Sequence, residues 1–153
     1  MLYGLALLAG IVAGSRTFTG PAAVSWAARL GYLNLDGSWL AFMGYAWTPW
    51  IFTLLAIVEM VGDQLPSTPS RKVPMQFGAR IVGGALSGAT LGSAGGSWII
   101  GLIAGVIGAV IGTFGGAEIR SYMAKAFGRD APAAFLEDAG AIILGLVIIW
   151  ALR

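Results

Sequence analysis

Long apolar stretches separated by short polar breaks dominate the chain, and this pattern predicts membrane-spanning helices. The apolar stretches cover residues 2–15, 38–61, 74–91, 98–117 and 133–152. Most approach the roughly 20 residues that a helix needs to cross a bilayer. We therefore predict an all-α polytopic membrane helical bundle with about five spans, in which residues 1–153 form a single integral membrane domain.

Two places interrupt this helical pattern. Gly20 and Pro21 follow the first apolar stretch, and proline is accepted in a first helical turn but not in a helix interior. A second glycine pair begins at Gly115. We expect broken or re-entrant helices over residues 16–30 and 113–127, with irregular backbone next to a cavity.

Two short segments, one in each half of the chain, have weakly similar sequences. Residues 18–20 match residues 114–116 at a constant offset, and each match ends an apolar stretch and opens a short helix. The pattern predicts half-repeats 1–66 and 97–153, joined by a connecting span 74–92. One connecting span would leave the halves inverted in the membrane, as in many transporters.

Glycines recur at helical spacing in the third and fourth apolar stretches. They are Gly84, Gly88, Gly92, Gly101, Gly105, Gly108 and Gly112. This small-x-x-x-small spacing gives smooth helix faces that allow close approach of two helices. We predict that these faces pack helices against each other within the chain. The alternative is that they form the contact of a symmetric homo-oligomer.

Composition narrows the function classes. The chain is 58% hydrophobic and only 10% charged, whereas soluble domains carry about 25% charged residues. A net charge of +2 is too small and too dispersed for a nucleic-acid surface. Cysteine and histidine are both absent, which removes thiol catalysis, disulfides and the usual zinc and haem ligands. We expect no enzyme activity, no metal and no cofactor.

The densest polar chemistry lies in residues 57–80. Glu59 and Asp63 end an apolar run four residues apart, hence on one helix face. The hinge that follows contains Pro66, Pro69 and Pro74, with Arg71, Lys72 and Arg80 around it. A carboxylate at the centre of a span costs about 2.5–3.5 kcal/mol on insertion scales. We interpret Glu59 as a functional or buried paired group and Asp63 as a helix cap.

A second acidic pair, Glu137 and Asp138, lies near the start of the last apolar stretch, where the helix dipole favours an acid. In the five-span topology seven charged residues gather at the cytoplasmic end: Glu59, Asp63, Arg80, Glu118, Arg120, Glu137 and Asp138. They are candidates for a substrate or ion pathway. Ordinary salt bridges between helix ends are the alternative, and both interpretations stay open.

Arg16 is a separate candidate, because the same topology places it on the opposite side. With Thr17 and Thr19 it could bind an anion or a headgroup at a helix N-terminus, or extend to the headgroups. In a re-entrant segment it would instead seek a carboxylate such as Glu59. The distribution of basic residues predicts a multi-pass protein of the inner (plasma) membrane with a cytoplasmic N-terminus.

The spacing of these residues also resembles a known family. Glu59-x-x-x-Asp63-Gln64-Leu65-Pro66 is followed by Arg80 before Gly84-Ala85, and later by Glu137-Asp138. This pattern, over residues 59–138, resembles domain-of-unknown-function family 4126, which consists of small multi-pass membrane proteins. Residues 128–132 replace the Ser-Pro-Glu-Pro-like turn of longer members. The resemblance implies that the acids, Pro66 and Arg80 form one unit, and it implies no established activity.

Three functions are compatible with this pattern. The first is a transporter or channel for a small solute or ion, in which Glu59 and Glu137 respond to protons or cations and Arg80 and Arg120 balance them. The second is a membrane scaffold or assembly protein that binds other spans through its glycine faces. A lipid-modifying enzyme is the third and weakest, because the sequence offers no recognisable nucleophile and base. The expected partners are the lipid bilayer, a small solute or ion and a second copy of the chain, and nucleic acid is not among them.

Overall fold

The structure is a computed structural model that describes residues 1–65, 70 and 72–153, and these residues form an all-helical fold. The helices are α1 (Leu2–Ser15), α2 (Thr19–Arg29), α3 (Thr48–Gly62), α4 (Pro74–Ala94), α5 (Trp98–Phe127) and α6 (Asp130–Leu152). A 3-10 turn at Ala41–Gly44 precedes α3. No strand occurs in this described part, which confirms the predicted all-α class. The predicted hinge residues Pro66, Pro69 and Arg71 lie outside the described residues.

Local sequence signals account for where several helices begin and end. Pro74 occupies the first turn of α4, where its fixed φ suits the helix and its missing N–H costs nothing. The Ser97 hydroxyl caps α5 by accepting the Ile100 N–H at 3.3 Å. Gly128 ends α5 at φ 75°, a left-handed conformation that favours glycine.

Helix α5 packs against α1 and α4, and glycine backbones form both contacts. A Cβ atom at Gly84 would lie 2.6 Å from the Gly105 carbonyl oxygen, and one at Gly92 would lie 2.6 Å from the Gly101 Cα atom. On the α1 side, a Cβ atom at Gly10 would lie 2.9 Å from the Gly105 Cα atom. These helices approach until their backbones touch, which only the absence of side chains allows.

Helices α1 and α2 form a hairpin whose turn is Arg16–Phe18. Gly20, in the first turn of α2, lies against the Ala9 carbonyl and Ala13 of α1, so α2 folds back along α1. The chain therefore breaks upstream of Gly20 and Pro21, which lie within α2. The predicted break at 113–116 is wrong, because α5 continues as one helix through these residues.

The predicted inverted arrangement of half-repeats also differs from the structure. Going from Gly10 to Gly14 on α1, the facing contacts on α5 move from Gly105 to Thr113, so the two helices run in the same direction. Equivalent helices of inverted repeats would run in opposite directions. Residues 1–66 and 97–153 are therefore not related in this way.

The bundle has two distinguishable ends. Asp63 at the end of α3 and Pro74 at the start of α4 define the hinge end. At the other end the Tyr3 hydroxyl donates a hydrogen bond to the Gly95 carbonyl at 3.0 Å. The N-terminus and the hinge therefore lie at opposite ends, whereas the five-span topology placed them on the same side. We call the end with Tyr3 the terminal end.

Two helices, α5 and α6, are long and apolar enough to cross a membrane. Helices α1 and α3 are apolar but shorter, at 14 and 15 residues. The described residues thus show fewer long apolar helices than the five predicted spans. The first apolar stretch is short because the chain turns back at Arg16.

Apolar and charged side chains are distributed differently here than in a water-soluble protein. Large apolar side chains cover the outside of α3 and α6, where Leu54 is 63% exposed and Leu146 is 60% exposed. The interior instead buries charged groups, among them Arg16 and Arg80 at 0% and 2% exposure. Contiguous exposed apolar surface of this kind marks contact with a membrane or another protein.

Replacing Gly105 by alanine tests the glycine contacts. The new Cβ atom would lie 2.9 Å from the Gly84 carbonyl carbon and 3.0 Å from the Gly88 Cα atom. We expect the unfolding free energy in mixed micelles to fall by about 1–3 kcal/mol, as for other overpacked sites. Gly115→Ala is the control on the same helix, because its Cβ atom would meet nothing within 4 Å. Equal stability of the two variants would contradict this packing.

Candidate functional site

The α1–α2 turn is buried, with Arg16 and Thr17 at 0% and 5% exposure, and it leaves backbone groups without helical partners. A helix end has unpaired N–H or C=O groups that need other partners when water is absent. At the level of Gly14, α1 contacts Thr113 of α5, and α5 continues to Phe127. At 1.5 Å per residue this continuation extends about 20 Å past the turn. The turn therefore needs partners supplied by the protein.

Arg80 of α4 supplies the donors for the end of α1. Its Nη1 atom donates hydrogen bonds to the carbonyl oxygens of Gly14 and Ser15, at 2.9 and 2.6 Å. A cation at a helix C-terminus also interacts favourably with the helix dipole. The carbonyl groups that α1 leaves open are thus capped by a buried guanidinium.

Glu59 of α3 supplies the acceptors for the start of α2. Its two carboxylate oxygens accept the Thr17 N–H at 2.7 Å and the Phe18 N–H at 3.1 Å. Its Oε1 atom also lies 3.7 Å from Arg80 Nη2. Glu59 and Arg80, the two residues of greatest interest in the sequence, therefore meet each other and hold the two sides of one turn.

Arg16 begins this turn and is fully buried. Its Nε atom donates to Asp138 Oδ1 at 2.5 Å, and its Nη1 atom donates to Asp63 Oδ2. Its Nη2 atom lies 3.5 Å from Glu137 Oε2. The guanidinium thus faces carboxylates from α3 and α6, which leaves it no open side for a bound anion or headgroup.

The position of Arg16 corrects the sequence-based topology. That topology placed Arg16 opposite the acids, and the structure brings it into contact with Asp63 and Asp138. The physical reason is the hairpin: α1 runs to the level of the acids and α2 then returns. The re-entrant alternative anticipated a carboxylate partner, although Glu59 binds the neighbouring backbone rather than Arg16 itself.

Arg120 connects the acids at the hinge end. Its guanidinium donates to both carboxylate oxygens of Asp130, at 3.1 and 2.7 Å. Its Nη1 atom donates to Glu137 Oε2 at 3.3 Å, and its Nη2 atom donates to the Asp63 carbonyl at 3.4 Å. Arg120 therefore links α5 with α6 and with the end of α3.

We call the connected residues the charged cluster. It consists of Arg16, Glu59, Asp63, Arg80, Arg120, Asp130, Glu137 and Asp138. Glu118 does not belong to it, because its side chain is exposed and contacts no charged group in the described ranges. Glu118 therefore lies on α5 toward the same end as the other acids, but outside the charged cluster.

Sequence reasoning missed two contributors. Asp130 lies in the first turn of α6, where the sequence pattern indicates only a connecting turn. Gln64 donates from Nε2 to Asp138 Oδ2 at 3.2 Å. The available signal for Asp130 was an acid at a helix start, which the dipole favours. Gln64 belongs to the motif that resembles the family, but nothing in the sequence assigned it a contact with an acid.

Among the described residues, more carboxylates than cations surround Arg16. Asp63 and Asp138 both contact Arg16, and neither has an ion pair with another cation of the described residues. Two carboxylates thus share one guanidinium in a poorly solvated interior. No group of acidic residues in the described part of the chain has the arrangement of a metal site.

Comparison with known proteins does not identify a family for this chain. The chain matches no protein-family model, no curated protein and no solved structure. The resemblance to domain-of-unknown-function family 4126 stays a prediction. The geometry of the charged cluster is therefore the basis for a functional proposal.

Glu59→Gln tests the role of Glu59 at the turn. A glutamine has one carbonyl oxygen, so one of the two backbone N–H groups of Thr17 and Phe18 would lose its acceptor. We expect the unfolding free energy in detergent micelles to fall by about 1–3 kcal/mol, the usual cost of an unsatisfied buried group. The control is Glu118→Gln, which changes an exposed side chain and should stay within about 0.5 kcal/mol of the parent protein. A larger loss for Glu118→Gln than for Glu59→Gln would refute this assignment.

Proposed function

We propose that the protein is a small multi-pass membrane transporter or channel for a small solute or ion. Its α1–α2 hairpin would enter the membrane and turn at the charged cluster. One observation carries the proposal: the turn at Arg16 is held inside an apolar bundle by Asp63 and Asp138, which share one cation. Irregular backbone and ionisable groups at membrane depth are typical of transport pathways.

The exposed surface supports placement in a membrane. Helices α5 and α6 have the length and composition of spans, and the outside of α3 is covered by large apolar side chains. The alternating directions of α3, α4, α5 and α6 are compatible with four crossings of the membrane by these helices. The α1–α2 hairpin would then enter the membrane from the terminal end and return to that end. This arrangement replaces the five-span topology in our proposal.

The basic residues favour one orientation of these crossings. Lys72, Lys125 and Arg129 belong to segments at the hinge end, whereas Arg29 and Arg153 lie in segments at the terminal end. The positive-inside rule then places the hinge end in the cytoplasm. Because Tyr3 lies at the other end, the N-terminus would face outward. The proposed localisation remains the plasma membrane.

The chemistry of the proposed pathway follows from the shared guanidinium. With both Asp63 and Asp138 ionised, Arg16 is held from two helices, α3 and α6. A proton or monovalent cation bound at one carboxylate would weaken that hold, because a neutralised carboxylate attracts the guanidinium less. The α1–α2 turn could then move relative to α3 and α6. Binding would thereby be coupled to a conformational change.

The contacts of the individual acids support different roles for them in this proposal. Glu59 is engaged by two backbone N–H groups and faces Arg80, so its main task is to hold the turn. Asp63 and Asp138 contact a cation that they must share. We therefore assign the proton- or cation-responsive role to Asp63 and Asp138 in preference to Glu59.

A scaffold or assembly protein is the second candidate. The observation that favours it is the backbone-to-backbone packing of α5 with α1 and α4, which makes a rigid unit. In that case the charged cluster only holds helix ends together, and no solute crosses. A homo-oligomer suits either candidate, because both leave the outer faces of α3 and α6 available.

Asp138→Asn separates the two candidates. The amide keeps the shape of the carboxylate and removes its charge, so Arg16 would be balanced by Asp63. In proteoliposomes with entrapped pH and potassium indicators and an imposed potassium gradient, we expect the parent protein to give proton or potassium flux above empty vesicles. The flux of the variant should be at least about tenfold lower than that of the parent protein, which corresponds to a rise of about 1.4 kcal/mol in the barrier to transport.

The matched control is Asp36→Asn, the same change at an exposed loop position outside the charged cluster. It should retain the flux of the parent protein. Flux from Asp138→Asn equal to that of Asp36→Asn would refute the assigned role of Asp138. Flux from the parent protein no higher than that of empty vesicles would favour the scaffold.

A further inference from the structure

All six tryptophans of the chain lie toward the terminal end of the bundle. Trp50 is in the first turn of α3, Trp98 begins α5, and Trp150 is in the last turn of α6. Trp39 packs edge-on against Trp98, with ring centroids 5.5 Å apart, and Trp26 packs against Trp50 at 4.9 Å. We call these residues the tryptophan band, which consists of Trp26, Trp39, Trp47, Trp50, Trp98 and Trp150.

The tryptophans on α3 and α6 lie at similar distances from the turn at Arg16. Asp63 and Asp138 contact Arg16 from these two helices, so they mark its level on each of them. Trp50 precedes Asp63 by 13 residues, which is about 20 Å at the helical rise. Trp150 follows Asp138 by 12 residues, or about 18 Å. The two helices therefore carry their tryptophans at nearly the same level.

Helix α5 repeats this spacing on another part of the surface. Its Thr113 faces Gly14, just before the turn, and Trp98 precedes Thr113 by 15 residues, or about 22 Å. Helix α3 packs mainly against α2, whereas α5 packs mainly against α1 and α4, so the band is not confined to one side of the bundle. A protein docked on one side would cover only part of the band, whereas a lipid interface meets the whole molecule at one level.

An apolar zone of membrane thickness separates the tryptophan band from the hinge end. On α3 and α6, every exposed residue between the tryptophan and the acid that contacts Arg16 is apolar. Beyond that acid on α6, Asp138, the helix reaches its start at Asp130 after about 12 Å more. The band and the start of α6 are therefore about 30 Å apart, which is the thickness of the hydrocarbon core of a bilayer.

The indole N–H groups of the band need hydrogen-bond acceptors outside the protein. Trp26 Nε1 donates to Thr53 Oγ1 at 2.9 Å. Of the residues that the structure describes, none accepts a hydrogen bond from the other five indole groups. Four of these side chains are more than half exposed: Trp39, Trp47, Trp50 and Trp150. A large apolar ring with one unpaired donor suits a boundary between hydrocarbon and polar lipid groups.

We propose that the tryptophan band binds the glycerol and headgroup region of the phospholipid leaflet at the terminal end. The indole N–H groups donate to ester or phosphate oxygens of the lipids, and the rings lie against the upper part of the acyl chains. The turn at Arg16 then lies about 20 Å from this interface and about 10 Å inside the hydrocarbon from the hinge end. This inference rests on the proposed placement in a membrane and not on transport.

Fluorescence quenching by brominated lipids tests the position of the band. The full chain would be reconstituted in phosphatidylcholine that carries bromine atoms either near the glycerol end or near the methyl end of one acyl chain. All intrinsic tryptophan emission comes from the band. We expect quenching to be at least about twofold stronger with bromine near the glycerol end, because interfacial indoles lie at that depth.

Ile143→Trp is the matched control for depth. Ile143 is 59% exposed on α6, and it lies seven residues before Trp150, about 10 Å closer to the charged cluster. The emission that this variant adds to that of the parent protein should show the opposite preference, with stronger quenching by bromine near the methyl end. Exposure of the replaced side chain lets the larger ring enter lipid without repacking the interior.

Each outcome decides the position of the band. Stronger quenching of the parent protein by bromine near the methyl end would overturn the proposal, because the band would then lie in the hydrocarbon. Quenching by aqueous iodide and by neither lipid would place the band in water, and quenching by none of the three would indicate that another protein covers it. Either result overturns the proposal. If the tryptophan at 143 still shows the expected preference, the membrane placement stands and only the band fails.

Discussion

A helix that ends inside an apolar bundle must find protein partners for its open backbone groups, and much of this structure follows from that requirement. The turn at Arg16–Phe18 exposes carbonyl groups at the end of α1 and N–H groups at the start of α2. Arg80 pairs with the carbonyls, and Glu59 pairs with the N–H groups. These two residues come from α4 and α3, so the turn holds four helices together. The charges are present because neutral apolar side chains could not satisfy these groups.

Close backbone packing makes such a turn possible in a chain of this size. Glycines on α1, α4 and α5 let the three helices approach without intervening side chains. This packing places Arg80 of α4 beside the end of α1, near enough to reach the Gly14 carbonyl. Helix α6 then covers Arg16 with Asp138. The arrangement separates two roles: Glu59 and Arg80 stabilise the turn, while Asp63 and Asp138 share the positive charge of Arg16.

The helical segments and the charged residues could be predicted from the sequence, but the path of the chain between them could not. The predicted first helix, Leu2–Ser15, and the start of α5 at Trp98 agree with the structure, since apolar length and turn residues define them locally. The error was the direction of α2. A chain that crosses the membrane and a chain that turns back have the same local pattern at Gly20 and Pro21, and only contacts with α3 and α6 distinguish them. That Glu118 stays outside the charged cluster could not be predicted, because helical spacing does not reveal which face of α5 meets α6.

The burial of Arg16 against Asp138 is the central claim, and a double-mutant cycle tests it most directly. Unfolding free energies would be measured for Arg16→Gln, Asp138→Asn and the double variant in the same micelles. Each single change leaves a buried charge with fewer partners, so the double variant should be less destabilised than the sum, by more than about 1 kcal/mol. Additivity within about 0.5 kcal/mol would mean that the two side chains do not touch, and it would contradict the α1–α2 hairpin.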